Sequence, residues 1–283
     1  TSAEAGGVAS GTEAYYSFDY GNVHFVVLDS QDTNRAIGAA MLTWLEQDLA
    51  ATVQDWIIAY WHHPVYSKGS HDSDTELQMV EMRENALPIL EDHGVDLVFS
   101  GHSHSYERSF FLDGHYGDST TFDESHKVDL GDGREDGDGV YRKPEYGPDP
   151  HSGTVYTVAG SGGKISGGTL DHPANFLSLN LLGSVVLDIN DTRLDAVCFD
   201  HNGQPLDHFT LKKGPDCPDQ DADRVCDADD NCPAVPNDDQ ADADSDGRGD
   251  SCDACINDPF DDIDSDGFCG DLDNCPLISN PTQ

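Results

Sequence analysis

The sequence predicts an α/β fold followed by a small region with little regular secondary structure. Strand-like and helix-like runs alternate along residues 1–214, and histidines stand at the ends of two of the strands. All 13 histidines precede Gly214, whereas seven of the eight cysteines follow it. From Pro215 to Gln283 the acidic residues are 21 aspartates with no glutamate, and the bases are Arg224 and Arg248 alone. Two modules with different metal chemistry follow, at residues 1–214 and 215–283.

Tyr15–Tyr20 and Val23–Leu28 are β-rich runs around Gly21-Asn22, the signature of a hairpin. His24 falls inside the second run and reads as a packed histidine, and Asn22 as a turn residue rather than a ligand. Met41, Leu42, Trp44, Leu45 and Leu49 recur at helical spacing, predicting an amphipathic helix from about Ala36 to Ala51. Asp55–Trp61 reads as a buried strand ending in His62-His63-Pro64-Val65-Tyr66. A second helix is predicted over Thr75–His93, kinked or split at Pro88, with Gly94 as its C-cap. Val95–Phe99 is the next buried strand, closed by Gly101-His102-Ser103-His104-Ser105-Tyr106-Glu107-Arg108.

Beyond this motif, Asp113–Pro150 is rich in Gly and Asp and reads as a long loop whose acidic stretch Gly131–Asp138 is solvated. Thr154–Val158 is a strand followed by Gly160-Ser161-Gly162-Gly163-Lys164, which lacks the spacing of a nucleotide-binding loop. Ser184–Ile189, Arg193–Phe199 and Leu206–Leu211 alternate around turns such as Asn202-Gly203 and predict a closing antiparallel meander. Cys198 within it reads as an inert core thiol.

The formal net charge of −41 excludes nucleic acid as a partner. No apolar run is long enough to span a bilayer, and no signal peptide is present. The chain begins at Thr1 with a small, polar stretch, so we expect it to start in mid-protein.

In an open α/β sheet, sites are built at strand ends. A His-x-His pair there can serve two adjacent ions, one imidazole each, because imidazole suits zinc, iron and similar metals. By itself the pair is equally a polar loop with two solvated histidines; His62 ending a neighbouring strand favours ligands. Together, Trp56–Tyr66, Val95–Arg108, Thr154–Lys164 and the closing strands resemble the C-terminal part of purple-acid-phosphatase-like, calcineurin-type metallophosphoesterases, over about Tyr15–Lys213. The resemblance implies the C-terminal portion of an αββα sandwich and a dinuclear centre of Fe, Zn or Mn that hydrolyses phosphate esters. It places His62 and His102 on one metal and His104 on the other. It makes His71 the imidazole facing the substrate, suited to protonating the leaving group. His63 would flank the site, touching substrate or packing before Pro64. Glu107 and Arg108 are expected to brace the loop as an ion pair.

The same family's first half supplies Asp-x-His, Gly-Asp and Gly-Asn-His motifs that do not occur before Tyr15. The chain is therefore expected to carry the histidine half of the centre and to be inactive or nearly so alone.

In the tail, Asp242, Asp244, Asp246 and Asp250 place carboxylates around Gly247, the logic of an oxygen-ligand calcium loop. Asp262, Asp264, Asp266 and Asp271 repeat it around Gly267. Asp219, Asp221, Asp223 and Asp227 form a degenerate copy with Arg224 in the glycine position. Asn231-Cys232-Pro233 returns as Asn274-Cys275-Pro276, and the repetition signals an array. These residues resemble thrombospondin type 3 repeats over about Asp216–Gln283. With so few apolar residues the segment needs calcium and disulfides to fold. Cys232–Cys252 is the expected pair, the other pairings are open, and seven cysteines leave one unpaired. An oxidising, calcium-rich setting is implied, hence a secreted or cell-surface protein with surface or matrix attachment through the repeats. The alternatives are a non-enzymatic calcium-binding surface protein with a decayed phosphatase domain, and a related phosphodiesterase or nucleotidase.

Overall fold

The computed structural model describes residues 5–282, so the polar start at residues 1–4 lies outside it. It divides into two compact units, Thr1–Gly214 and Pro215–Gln283.

In the first unit, β1 (Tyr16–Tyr20) and β2 (Val23–Val27) form the expected hairpin, with Gly21 supplying the positive φ of 61° that the two-residue turn requires. Helix α1 (Ala40–Leu49) leads to β3 (Trp56–Tyr60), which lies parallel to β2. The helix starts later than its apolar spacing implies because Gly38, at φ 77°, cannot join it. The second helix runs as α2 (Leu77–Glu81), a π-helical turn (Met82–Ala86) and α3 (Leu87–Asp92). Pro88 stands at the start of α3. It has no N–H to donate and its ring crowds the preceding turn, and the ladder widens just ahead of it instead of breaking. Gly94 caps the helix at φ 71°, with its N–H on the Glu91 carbonyl and that of Val95 on Leu90, both at 3.1 Å.

Then come β4 (Leu97–Ser100), β5 (Tyr106–Leu112), β6 (Lys127–Asp129), β7 (Tyr141–Lys143), β8 (Thr154–Ala159) and β9 (Asn175–Leu179). The first sheet has the order β1-β2-β3-β4-β8-β5-β6, with β9 also paired to β5. The second is the meander β10 (Gly183–Asn190), β11 (Arg193–Asp200), β12 (Pro205–Lys213), extended by β7 alongside β12. Successive side chains on a strand face opposite ways, so each central strand feeds two cores. Trp56, Ile58, Leu97 and Val155 meet Tyr141, Leu194, Phe209 and Leu211 between the sheets. Ile57, Ala59, Val98 and Tyr156 meet Met41, Leu45, Met82 and Leu90 of the helices. The unit is a helix–sheet–sheet stack, an α/β sandwich.

Three expectations are corrected. The residues after the His-x-His pair are strand β5, not loop. Its alternation places Glu107 and Arg108 on opposite faces, so they do not pair with each other. Arg108 pairs with Asp207 of β12, Nε to Oδ2 at 2.6 Å and Nη2 to Oδ1 at 3.0 Å, with both side chains fully buried. The stretch 113–150 is not structureless either, since it supplies β6 and β7 and buries Tyr141 and Lys143. In its acidic segment Asp132 accepts from the amides of Arg134 and Asp138, and Arg134 reaches Asp207 at 2.7 Å. Cys198 is buried, and burial pushes its thiol up to about 11, with Asp207 adding to the shift.

The second unit has no helix or strand among its described residues. Disulfides join Cys217 to Cys226, Cys232 to Cys252 and Cys255 to Cys269, and Cys275 is free and exposed. The expected pair and the single leftover thiol are both present.

Candidate metal centres

Parallel strands β3 and β4 deliver two histidines to one place. The Gly101 amide donates to the His62 carbonyl at 3.0 Å, continuing the ladder past the strand ends. His62 and His102 therefore leave adjacent strands side by side. Nε2 of His62 lies 3.0 Å from Nδ1 of His102. His102 holds a left-handed backbone at φ 57°, a conformation rare outside glycine and costing on the order of 1 kcal/mol. Such strain persists only where surrounding contacts over-determine it.

The 67–76 segment brings the next groups. The His71 ring lies 3.7 Å from that of His102, centroid to centroid. The Glu76 carboxylate joins them, Oε1 to His71 Nδ1 at 2.6 Å and Oε2 to His102 Nε2 at 3.0 Å. Burial alone would raise the Glu76 carboxyl, but the hydrogen bonds from His102 and His71 outweigh it and hold it below its usual range. Glu76 escapes sequence reasoning because it sits in a polar run at the head of a helix. Its distance of five residues from His71 is the sole hint.

His63 is buried, its Nδ1 2.9 Å from Ser30 Oγ and its ring 4.4 Å from that of His102. Burial pushes it down to about 4, with His102 and His62 adding to the shift. His62 is lowered by burial first and then by the imidazoles of His102, His71 and His104. His104 has its Nδ1 2.8 Å from Ser166 Oγ. Of the expected residues, His62, His63, His71 and His102 are gathered into one cluster, and His104, which acts on His62, has Ser166 as its own hydrogen-bond partner.

The donor chemistry fits transition ions in part. One atom each from His62, His63 and His102 lie within 4.8 Å of one another, as do atoms of His71, Glu76 and His102. Lowered imidazoles are neutral near pH 7, the form that ligates. The cluster is all imidazole except for Glu76, which is engaged with two of the rings.

Beneath it, Glu107 is fully buried and accepts from Ser67 Oγ and Ser105 Oγ, both at 2.7 Å, and from the Lys68 amide and Asn175 Nδ2. It ties the loop carrying His71 to the loop carrying His102 and His104. Burial raises its carboxyl despite these four donors.

The tail repeats one local geometry three times. Asp219, Asp242 and Asp262 each fold back on amides downstream, the last of them Arg224, Gly247 and Gly267 at 3.0, 3.1 and 2.8 Å. Those three residues have φ of 77°, 96° and 97°, so Arg224 adopts the backbone that glycine provides in the other copies. Asp227 and Asp250 accept from Gln220 and Ala243 amides at 2.7 and 2.8 Å. Asp223 and Asp266 accept from the amides of Asn237 and Asn280, both at 2.8 Å. Asp271 instead donates its amide to Asp258. Both oxygens of Asp221 and of Asp264, and one of Asp244, are buried without a hydrogen-bond partner. Burial raises all three carboxyls; the charges of Asp223 and Asp266 add to the shift at Asp221 and Asp264, while at Asp244 the Asp246 amide opposes it.

Residues 3–106 match the calcineurin-like phosphoesterase family. Purple acid phosphatase 15 of Arabidopsis thaliana is 38% identical over 104 residues, which is 35% of this chain and 19% of that protein. Probable inactive purple acid phosphatase 9 of the same plant is 31% identical over 113 residues, 38% of this chain and 17% of that protein. A purple acid phosphatase, PPD1, from yellow lupin seeds superimposes with a TM-score of 0.57 at 20% identity. It covers 71% of this chain and 33% of its own, a likeness of fold. The chain thus spans about a fifth of the length of the curated relatives it matches. Residues 3–106 are similar to calcineurin-like phosphoesterases, with purple acid phosphatases among the relatives matched.

Proposed function

We propose that this chain supplies the histidine side of a dinuclear metal centre that hydrolyses phosphate monoesters, and that its tail binds calcium. The observation that carries the first reading is the meeting of His62 Nε2 and His102 Nδ1 at 3.0 Å on adjacent strand ends. His62, His102 and His104 would hold the ions. Bound there, two transition ions supply charge neutralisation at the phosphoryl oxygens and an acidified water.

The chain's own groups then have separate tasks. Glu76 takes the Nδ1 side of His71, which leaves Nε2 to give a proton to the leaving alkoxide. Buried His63, anchored by Ser30, packs against His102 and fixes that ring. Glu107 holds the two loops in register, so positioning, which dominates phosphoryl transfer, is built in before substrate arrives. The test is hydrolysis of p-nitrophenyl phosphate by the chain alone and by protein that includes the segment bearing the Asp and Asn motifs. We expect turnover from the second and little from the first. Robust turnover by the chain alone sinks the division of the centre.

The relative named as probably inactive favours a second reading, in which the domain is catalytically silent and the protein presents its tail. Wild-type longer protein that binds zinc, iron or manganese and hydrolyses no phosphate ester supports it. A diester or nucleotide panel on the same protein separates a phosphodiesterase.

For the tail, the support is the row of carboxylates at alternate positions whose buried oxygens lack donors. A divalent cation with oxygen preference satisfies such a set. The three disulfides and the calcium demand fit an extracellular or cell-surface setting. Calorimetric titration with Ca2+ tests this, and absence of binding at millimolar calcium rules it out.

A further inference from the structure

The glycine-rich stretch after β8 lies outside residues 3–106, yet it is stitched to both histidine-bearing loops. At one end the Gly160 amide donates to the Ser105 carbonyl at 3.1 Å, and a Cβ on Gly160 would lie 2.0 Å from the Ser103 carbonyl oxygen. At the other end Gly168, at φ 130°, approaches Gly69 so closely that a Cβ would lie 1.9 Å from its carbonyl oxygen. The Leu170 amide then donates to the Lys68 carbonyl at 2.8 Å. Glycine at these two points lets the segment lie flat against its neighbours.

Between these anchors Ser166 meets His104 twice. Its amide donates to the His104 carbonyl at 3.2 Å, and its Oγ lies 2.8 Å from His104 Nδ1. The His104 amide is fixed from the opposite loop by Ser70 Oγ at 3.1 Å.

We propose that Ser166 is the positioning residue of His104: its Oγ accepts the Nδ1 proton and leaves the Nε2 lone pair as the ring's one free donor to a transition ion. The proposal rests on the metal-centre reading above. Its physical basis is general. A neutral imidazole has one N–H, and the partner of that N–H sets both the tautomer and the ring's orientation. His102 has no such hydroxyl, because its nitrogens face His62 and Glu76. Ser166 therefore gives the second histidine of the His-x-His pair an environment of its own.

The test uses the whole chain with 15N-labelled histidine. Long-range 1H–15N spectra report which ring nitrogen of His104 carries the proton, and the His104→Ala spectrum identifies its signals. We expect the Nδ1–H tautomer in the wild type and in Ser166→Thr, and a mixture in Ser166→Ala. Zn2+ titration followed at the His104 signals should weaken by about 10–100-fold in Ser166→Ala, with Ser166→Thr recovering most of it. In a His104→Ala background, Zn2+ binding read at the His102 signals should not change on adding Ser166→Ala. An unchanged His104 tautomer in Ser166→Ala overturns the proposal, as does a loss of Zn2+ affinity at His102 that persists without His104. If the tautomer shifts as expected but no Zn2+ binds the wild type, the Ser166–His104 link stands and the metal-centre reading falls.

Discussion

Arg108 and Asp207 show what a single buried pair does in this protein. Arg108 lies with its guanidinium 4.5 Å from the centre of the Phe176 ring and 5.1 Å from that of Phe209, and spends three hydrogen bonds on Asp207 and Asp132. Tyr106 and Arg134 also donate to Asp207. Burial alone would raise the Asp207 carboxyl, but Arg108, Arg134 and Tyr106 together outweigh it and hold the group below its usual range. Removing one partner strands a buried charge, so Asp207→Ala should cost about 3–5 kcal/mol in urea unfolding. A loss under about 1 kcal/mol would show that water reaches the guanidinium.

Two buried histidines outside the candidate centre, His172 and His115, set a pH dependence. His172 is buried, and burial pushes it down to about 3; His115 is likewise lowered to about 4, by burial first and His126 next. Both keep one ring nitrogen without a partner. Their unfolded values lie near 6.5, so the unfolded chain takes up these protons first as pH falls. Stability from this pair is full above about pH 6.5 and declines toward pH 4 for His115 and pH 3 for His172, each residue contributing at most roughly 3–5 kcal/mol. His172→Gln should flatten the slope of unfolding free energy between pH 6.5 and 4. An unchanged slope removes His172 from this account. On the reading proposed above for the centre, His102→Ala in a protein that joins this chain to the Asp and Asn motifs should cut phosphate-ester turnover more than about 100-fold, of the order seen when a key electrostatic group is removed. Near-wild-type turnover with metal still bound contradicts the assignment.

At the scale of elements, the decisive object is the join between a helix and a strand. Gly94 ends α3 with positive φ and lies so close to Asp149 that a Cβ would sit 2.3 Å from its backbone nitrogen. Backbone atoms cannot move aside as a side chain can. Gly94→Ala should therefore cost about 1–2 kcal/mol from φ alone, plus the displacement of the 149 turn. Chemical denaturation reads this, and a neutral result would mean the turn is free to shift. The π-helical turn before Pro88 is an element that periodicity could not reveal, because the apolar residues keep nearly the same spacing through it. Strand β5 was hidden for a different reason. Its sequence, Tyr106–Leu112, mixes buried Glu107, Arg108 and Ser109 with aromatics, and Glu107 and Arg108 find partners far along the chain, Ser67 and Asp207 among them.

At the scale of the whole molecule, the two units differ in what holds them. Residues 1–214 bury two apolar cores, whereas 215–283 rely on three disulfides and paired carboxylates and amides. Chelating calcium should speed amide exchange throughout 215–283 and leave the central strands of 1–214 protected, as read by mass spectrometry. Equal protection of the tail with and without calcium would mean disulfides and hydrogen bonds suffice.

The sequence by itself determined the α/β alternation, the hairpin at Gly21, the capping at Gly94, the closing meander and the histidines at two strand ends. These are written in local periodicity and in residues whose backbone or side-chain chemistry has few alternatives. It made Cys232–Cys252 the pair to expect and left the other pairings open, and the structure closes them. Tertiary structure alone decided that Glu76 joins the histidines, that Ser166 reaches His104 across 62 residues, and that Arg108 answers to Asp207 rather than to its neighbour. The reason is physical: a strand's alternation fixes which face a side chain takes, but what waits on that face is set by sheet order, and sheet order is a property of the folded whole.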